Sequence, residues 1–126
     1  MIDQAAFQAL AEQSLSELPQ RFLDTIENVV VFAEDWPNAD VMESMGLASP
    51  NELMGLYQGW PLPERGVSYT GQLPDMIHLY RRPILSFCDE TGESVEACVR
   101  HVLVHEIGHY FGFTDEEMEA IECQKA

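Results

Sequence analysis

Residues 105–115 read His-Glu-Ile-Gly-His-Tyr-Phe-Gly-Phe-Thr-Asp, and this stretch decides the fold. Residues four apart on a helix lie on one face, one turn above another. On a helix, His105 and His109 can therefore offer their imidazoles to one ion at the distance of about 2.0–2.1 Å that zinc prefers. Glu106 lies one step around the helix, where its carboxylate reaches a water on the metal rather than the metal itself. The pattern predicts a zinc site with Glu106 as catalytic base.

Gly112 and Asp115 extend this pattern. A glycine at a helix end adopts the left-handed conformation at little cost, so the chain can turn sharply there. Such a turn would bring Asp115 back to face the two histidines as a third ligand. Two histidines, one carboxylate and a water give four-coordinate zinc with an open position, which is the catalytic arrangement. We therefore expect Zn²⁺ bound by His105, His109 and Asp115.

The stretch resembles the extended zincin motif of the metzincin-type metallopeptidases, in the variant with Asp as third ligand. More of the chain resembles a small bacterial family of minimal zincin-like metallopeptidases, over roughly residues 20–120. The matching segments are Leu56-Tyr57-Gln58-Gly59, Pro61-Leu62, Arg65-Gly66, Leu73-Pro74-Asp75, Leu79-Tyr80-Arg81 and Pro83-Ile84-Leu85. The resemblance implies a compact zincin core, zinc at His105, His109 and Asp115, Glu106 as base, and a cytoplasmic protein.

Hydrophobic patterning predicts the elements that accompany the motif. The expected elements are a helix over 3–18, a strand over 26–32, a short helix over 40–46, strands over 53–58 and 75–81 around a Gly/Pro-rich loop, a helix over 93–112 capped by Thr91 or Ser94, and a last helix over 115–123. This order predicts an α+β fold, a single domain over 1–126 with a small mixed or antiparallel sheet covered by helices and the active-site helix near the C-terminus. Because Pro83 follows it, the segment 76–81 is the predicted edge strand.

Composition restricts the partners. The 126 residues carry 22 acidic and 6 basic side chains, a net charge of -16, which argues against a nucleic-acid or anionic-membrane partner. Three cysteines without C-x-x-C spacing, no signal segment and no apolar run of membrane-spanning length favour a reducing, cytoplasmic location. The oligomeric state is left open.

The predicted activity is hydrolysis of an extended peptide, which zincins bind by adding it to an edge strand. The alternative is a zinc-stabilised peptide- or protein-binding module with little or no catalysis. Eleven residues follow Asp115, too few for the methionine turn of the larger metzincins, and Met118 lies too close to take that part by the usual route. No Tyr or His follows Asp115 to stabilise an oxyanion, so any such donor must come from upstream or from the metal.

Several upstream residues have both a functional and a structural interpretation. His101 is either a fourth ligand or a packed neighbour of the site. His78 and the tyrosines at 57, 69 and 80 are either oxyanion donors or ordinary structural residues. Arg81-Arg82 either pairs internally or holds a substrate carboxylate, and Cys98 is expected to be a buried, inert thiol.

Overall fold

The computed structural model describes residues 2–24, 29–59 and 75–123, and within them six α-helices, three strands and one 3-10 turn follow in order. These are α1 (Gln4–Ser16), α2 (Gln20–Leu23), β1 (Val29–Glu34), α3 (Ala39–Met45), the 3-10 turn Pro50–Glu52, β2 (Gly55–Gln58), β3 (Asp75–Tyr80), α4 (Arg81–Thr91), α5 (Val95–Tyr110) and α6 (Asp115–Cys123). The predicted α+β class is confirmed. Residues 26–28 of the first predicted strand and 60–74 of the predicted loop lie outside the described residues.

The three strands form one sheet in the order β1-β3-β2. β1 pairs with β3 in parallel and β2 pairs with β3 antiparallel, so the sheet is mixed. The prediction that 76–81 is an edge strand is therefore wrong, because β3 is the central strand. Pro83 lies in the first turn of α4, where a missing backbone N–H is tolerated. The sequence analysis took this proline for the end of a strand and so missed α4.

One face of the sheet is covered by helices. Side chains alternate along a strand, and the buried residues Val31, Ala33, Tyr57, Ile77 and Leu79 share a face according to the register. Helix α1 packs on β1, and α5 packs on β2 and β3. Together the covered face and these helices enclose the hydrophobic core.

Local signals explain the ends of the helices. Ser94, rather than Thr91, caps α5 by accepting a hydrogen bond from the Ala97 N–H at 3.1 Å. Gly46 ends α3 at φ +65°, and Gly112 follows α5 at φ +78°, both in the left-handed region. None of the helices in the described ranges has both the length and the apolar character that a membrane crossing needs.

Candidate metal centre

One face of α5 follows strand β2 along its length. Val102, Glu106 and Tyr110 recur every four residues, about 6 Å apart along the helix, and the alternate positions 55, 57 and 59 recur about 6.8 Å apart along a strand. A Cβ at Gly55 would lie 2.5 Å from Val102 Cγ1. The Tyr57 N–H donates to Glu106 Oε1 at 3.2 Å. A Cβ at Gly59 would lie 3.0 Å from Tyr110 Cε1 and closer still to its hydroxyl.

The two glycines therefore let the helix carrying Glu106 approach β2 closely. A Cβ at Gly55 would force Val102 or the backbone to shift, and a Cβ at Gly59 would displace the Tyr110 ring. Tyr110 also stacks on Tyr57, with ring centroids 4.2 Å apart. The glycine–tyrosine pattern of β2 thus fixes the distance between the strand and the helix that bears the motif.

Glu106 lies at the outer edge of β2. The Tyr80 N–H donates to the Met54 carbonyl at 2.9 Å, so the backbone N–H and C=O groups of the even-numbered residues along β2 point toward β3. The backbone groups of Gly55 and Tyr57 consequently point away from β3, and the Tyr57 N–H meets the Glu106 carboxylate on that side. Burial raises the pKa of Glu106, while the hydrogen bond from Tyr57 and the nearby His109 act in the opposite direction.

His105 and His109 lie side by side on one face of α5, one turn apart. Two imidazoles on one zinc, with nitrogens at about 2.0–2.1 Å and a tetrahedral angle, place their ring centroids about 5.2 Å apart. The observed centroids are 5.7 Å apart, with the rings at 88°. His105 is half-buried and His109 is exposed, so the pair borders the solvent. The observed separation is about 0.5 Å larger than the value for two ligands of one tetrahedral zinc ion.

Asp115 is the predicted ligand that the structure does not bring to the other two. The turn at Gly112 forms as expected and is closed by a hydrogen bond from the Phe113 N–H to the Gly108 carbonyl at 2.8 Å. Thr114 and Glu117 then exchange hydrogen bonds at 2.8 and 3.1 Å, which starts α6 with Asp115 exposed in its first turn. Across the described parts of the chain, no group of three or more His, Cys, Asp or Glu side chains is placed to hold a metal.

His101 continues the histidine series one turn before His105. Its side chain is exposed, and its ring centroid lies 4.1 Å from that of His105, with the planes tilted by 34°. It packs beside His105, on the side away from His109.

Of the candidate oxyanion donors, two are engaged elsewhere. His78 lies on the sheet face opposite α5, between Glu34 and the Gln58 amide oxygen, the latter at 2.9 Å. The Tyr57 hydroxyl donates to Asp75 Oδ2 at 2.6 Å. Both contacts agree with the structural interpretation.

Tyr80 is the remaining candidate among the described tyrosines, because Tyr69 lies outside the described residues. It is buried, with 1% of its surface exposed. Burial first, and then the charges of Glu34 and Glu106, raise the pKa of Tyr80 to about 12. The Tyr80 phenol therefore stays protonated at neutral pH, and the negative charge of Glu106, the predicted base, contributes to this.

Arg81 and Cys98, both named in the sequence analysis, are buried structural residues. Arg81 is buried and donates from Nε to Asp35 Oδ1 at 2.7 Å and from Nη1 to the Ile2 carbonyl at 2.7 Å, so it pairs internally. Cys98 is buried, and burial raises its pKa to about 12, in agreement with an inert thiol.

Met118 is a buried residue of α6 whose contact with Gly108 was not predicted from the sequence. It is fully buried, and a Cβ at Gly108 would lie 2.7 Å from Met118 Cγ and closer still to its sulfur. Met118 of α6 therefore fills the space that Gly108 leaves in α5. The glycine inside an otherwise helical pattern was the available signal, since an interior glycine often marks close packing.

Comparisons with known proteins identify the family. A model of the zincin-like metallopeptidase family matches residues 26–125. A comparison with curated proteins gives no match. Among solved structures, a conserved hypothetical protein from Thermus thermophilus is similar, with a TM-score of 0.55 and 26% identity, over 87% of this chain and 94% of that one. This protein belongs to the zincin-like metallopeptidase family, whose members are zinc-dependent hydrolases.

Proposed function

We propose that this protein is a zinc-dependent peptidase in which His105, His109 and Asp115 bind the metal and Glu106 is the general base. The observation that supports this most strongly is the placement of Glu106. Its carboxylate is half-buried at the outer edge of β2, next in sequence to His105, and the ring centroids of His105 and His109 are 5.7 Å apart, close to the separation in a tetrahedral zinc site.

Asp115 would complete the ligand set by a local change at the start of α6. It is exposed, and it follows the left-handed turn at Gly112 by three residues. A carboxylate in this third position leaves one coordination position open, as catalysis requires.

In the proposed hydrolysis, the metal and Glu106 have separate roles. Bound zinc would supply a Lewis acid that acidifies water and polarises a peptide carbonyl. Glu106 Oε1 is held by the Tyr57 N–H, which leaves Oε2 to take the proton from water and pass it to the leaving amine. Burial raises the pKa of Glu106, which favours a carboxylate that can hold this proton between the two steps.

The substrate that fits this edge is an extended peptide. β2 has one neighbour, β3, in the described sheet, and its outer backbone groups point toward Glu106. A peptide added along β2 would pair main chain to main chain with the outer groups of the strand, except for the Tyr57 N–H, which stays with the Glu106 carboxylate. The proposed binding strand is therefore β2 in place of the segment 76–81. With a net charge of -16, nucleic acid remains a disfavoured partner.

A zinc-stabilised binding module is the second candidate. It is favoured by the position of Asp115, which lies outside any three-ligand group in the described chain. In such a module, Glu106 would serve by fixing β2 to α5 through the Tyr57 N–H.

Peptide hydrolysis by Glu106→Gln separates these two functions. A glutamine keeps an acceptor for the Tyr57 N–H but cannot take a proton, so zinc content should stay unchanged while hydrolysis of a quenched-fluorescence peptide library falls about 10²–10⁴-fold. Glu96→Gln is the matched control, because Glu96 is exposed in the first turn of the same helix. Equal hydrolysis by all three proteins would identify a contaminating protease and refute the peptidase. Zinc binding without hydrolysis by the wild type would support the binding module.

A further inference from the structure

We propose that the outer face of the Tyr110 ring binds an arginine or lysine side chain of the peptide that pairs with β2, so that the site selects basic peptides. The inference rests on the proposed addition of a peptide along β2, and it holds for the peptidase and for the binding module alike. Tyr110 lies one helical turn after Glu106 on the same face of α5, about 6 Å along the axis. A Cβ at Gly59 would meet the Tyr110 ring, so this ring lies beside the residue that follows β2. A peptide that pairs with β2 and extends beyond Gln58 would therefore reach Tyr110.

The Tyr110 ring is held by two aromatic neighbours that leave its outer face open. Tyr57 stacks on one face, with ring centroids 4.2 Å apart. Phe111 is nearly perpendicular to both rings, with its centroid 5.2 Å from that of Tyr110 and 5.9 Å from that of Tyr57. Because these two distances are nearly equal, Phe111 lies beside the stacked pair and not beyond Tyr110. Tyr110 remains 45% exposed, so the face turned away from Tyr57 is the surface that its ring offers to a ligand.

The charge of the surroundings favours a cation on this face over an apolar side chain. A guanidinium or ammonium group over an aromatic ring is attracted by the negative potential of the ring face. Tyr110 is also the last residue of α5, and the C-terminal end of a helix carries a partial negative charge that favours cations. The net charge of -16 attracts basic peptides to the protein as a whole.

The first turn of α6 adds carboxylates near the end of α5. The Phe113 N–H donates to the Gly108 carbonyl at 2.8 Å, and α6 begins two residues after Phe113. Residues 115–117 of that turn are all acidic and exposed. Glu106 and Asp115 would balance the two charges of a bound zinc ion, so the other two carboxylates of the turn remain to attract a cationic side chain.

The test measures the binding of a matched pair of peptides to proteins that carry Glu106→Gln, which prevents cleavage during the measurement. Both are fluorescein-labelled chains of about eight serine and threonine residues, the length of an ordinary strand. One has arginine at its centre, and the other has citrulline, which has nearly the same shape but no charge. The uniform flanking residues let the central side chain reach Tyr110 in any register. Fluorescence anisotropy gives the two dissociation constants, and circular dichroism checks folding.

The ratio of the two dissociation constants reports on the cation. The net charge of the protein attracts the arginine peptide in every variant, so the change in this ratio tests Tyr110. We expect Tyr110→Leu to reduce the preference for arginine about two- to fivefold, the range for one exposed contact between a cation and a ring, and Tyr110→Phe to keep it. Phe32→Leu is the matched control and should also keep the preference, because Phe32 is 42% exposed and lies on the sheet face opposite α5.

An unchanged ratio in Tyr110→Leu would overturn the proposal. An equal fall in Phe32→Leu, or a loss of the preference in Tyr110→Phe, would overturn it as well, and so would binding of neither peptide. A failure of the peptidase has a different signature. Wild-type protein would then leave the peptide library uncut, while the preference for arginine would still depend on Tyr110.

Discussion

Replacing Gly108 by alanine tests the contact between α5 and α6 that supports the metal centre. An alanine inside a helix is favoured over glycine by about 1 kcal/mol, so helix propensity alone predicts a more stable protein. Here the new Cβ would lie 2.7 Å from Cγ of Met118 and closer still to its sulfur. Met118 is fully buried, so its side chain cannot move aside into solvent. Overpacking of this kind costs about 1–3 kcal/mol. We expect Gly108→Ala to lower the free energy of unfolding by about 1 kcal/mol in net terms.

The same substitution should reverse its sign once Met118 is shortened. Met118→Ala by itself removes a fully buried side chain and should cost about 2–5 kcal/mol. In that background the Cβ at position 108 enters the space left behind, so Gly108→Ala should stabilise by about 1 kcal/mol. The coupling energy between the two positions is then about 2 kcal/mol.

Urea unfolding of the four proteins, followed by circular dichroism, measures this coupling. Gly92→Ala is the control, because Gly92 has φ +79° and a Cβ added there would meet nothing within 4 Å, so its cost should be the same with and without Met118. A Gly108→Ala protein that is more stable than wild type, with no dependence on Met118, would refute the packing of Met118 against Gly108.

Three further predictions concern single side chains. Tyr57→Phe should lower the free energy of unfolding by about 1–3 kcal/mol in urea titrations, because buried Asp75 loses the hydroxyl that donates to it at 2.6 Å, and an unchanged stability would contradict that bond. An alkaline titration followed by tyrosine absorbance should show one group that ionises near pH 12, and this group should be absent in Tyr80→Phe. Because the pKa of Tyr80 is raised from 10 in the unfolded chain to about 12 in the folded protein, its contribution to the free energy of unfolding is complete below pH 10 and is lost as the pH rises toward 12. The Arg81 guanidinium lowers the pKa of Asp35, so the ionised carboxylate stabilises the fold above about pH 4, and this stability is lost as the pH falls through the lower folded pKa. Asp35→Asn should therefore be less stable than wild type at pH 7, and the difference should close in acid. A constant difference from pH 7 to pH 2 would exclude the ion pair as its cause.

The helices of the motif could be predicted because their signals are local. Four-residue spacing of the histidines, the serine cap at Ser94 and the left-handed glycine at 112 each act within a turn or two of the chain. The same holds for the helix that ends at Gly46. These features need no knowledge of the rest of the fold.

Strand order and α4 could not be predicted in the same way. Which strand is central depends on pairing between residues far apart in sequence, such as Val31 with Ile77 and Tyr57 with Ile77. Pro83 is compatible with both the end of a strand and the first turn of a helix, and the sequence pattern alone favoured the wrong one.

The support of Glu106 was hidden for a different reason. The Glu106 carboxylate accepts from the backbone N–H of Tyr57, and every residue except proline has such a group. The residue type at position 57 therefore gives no sign of this hydrogen bond. The glycines at 55 and 59 carried the detectable signal, because each removes a side chain at a point where α5 approaches β2. Asp115 shows the opposite limit, since its spacing in the motif predicts a ligand while its local capping pattern starts a helix.

Zinc content is the most direct test of the central claim. It is measured by mass spectrometry on protein loaded with zinc, dialysed and free of a histidine tag, for the wild type and for His105→Ala, His109→Ala and Asp115→Ala, with His78→Ala as the control on the opposite face of the sheet. We expect about one zinc per chain in the wild type and the control, and its loss in the three site variants. Zinc retained by His109→Ala, or lost equally by His78→Ala, would contradict the assignment of the metal centre.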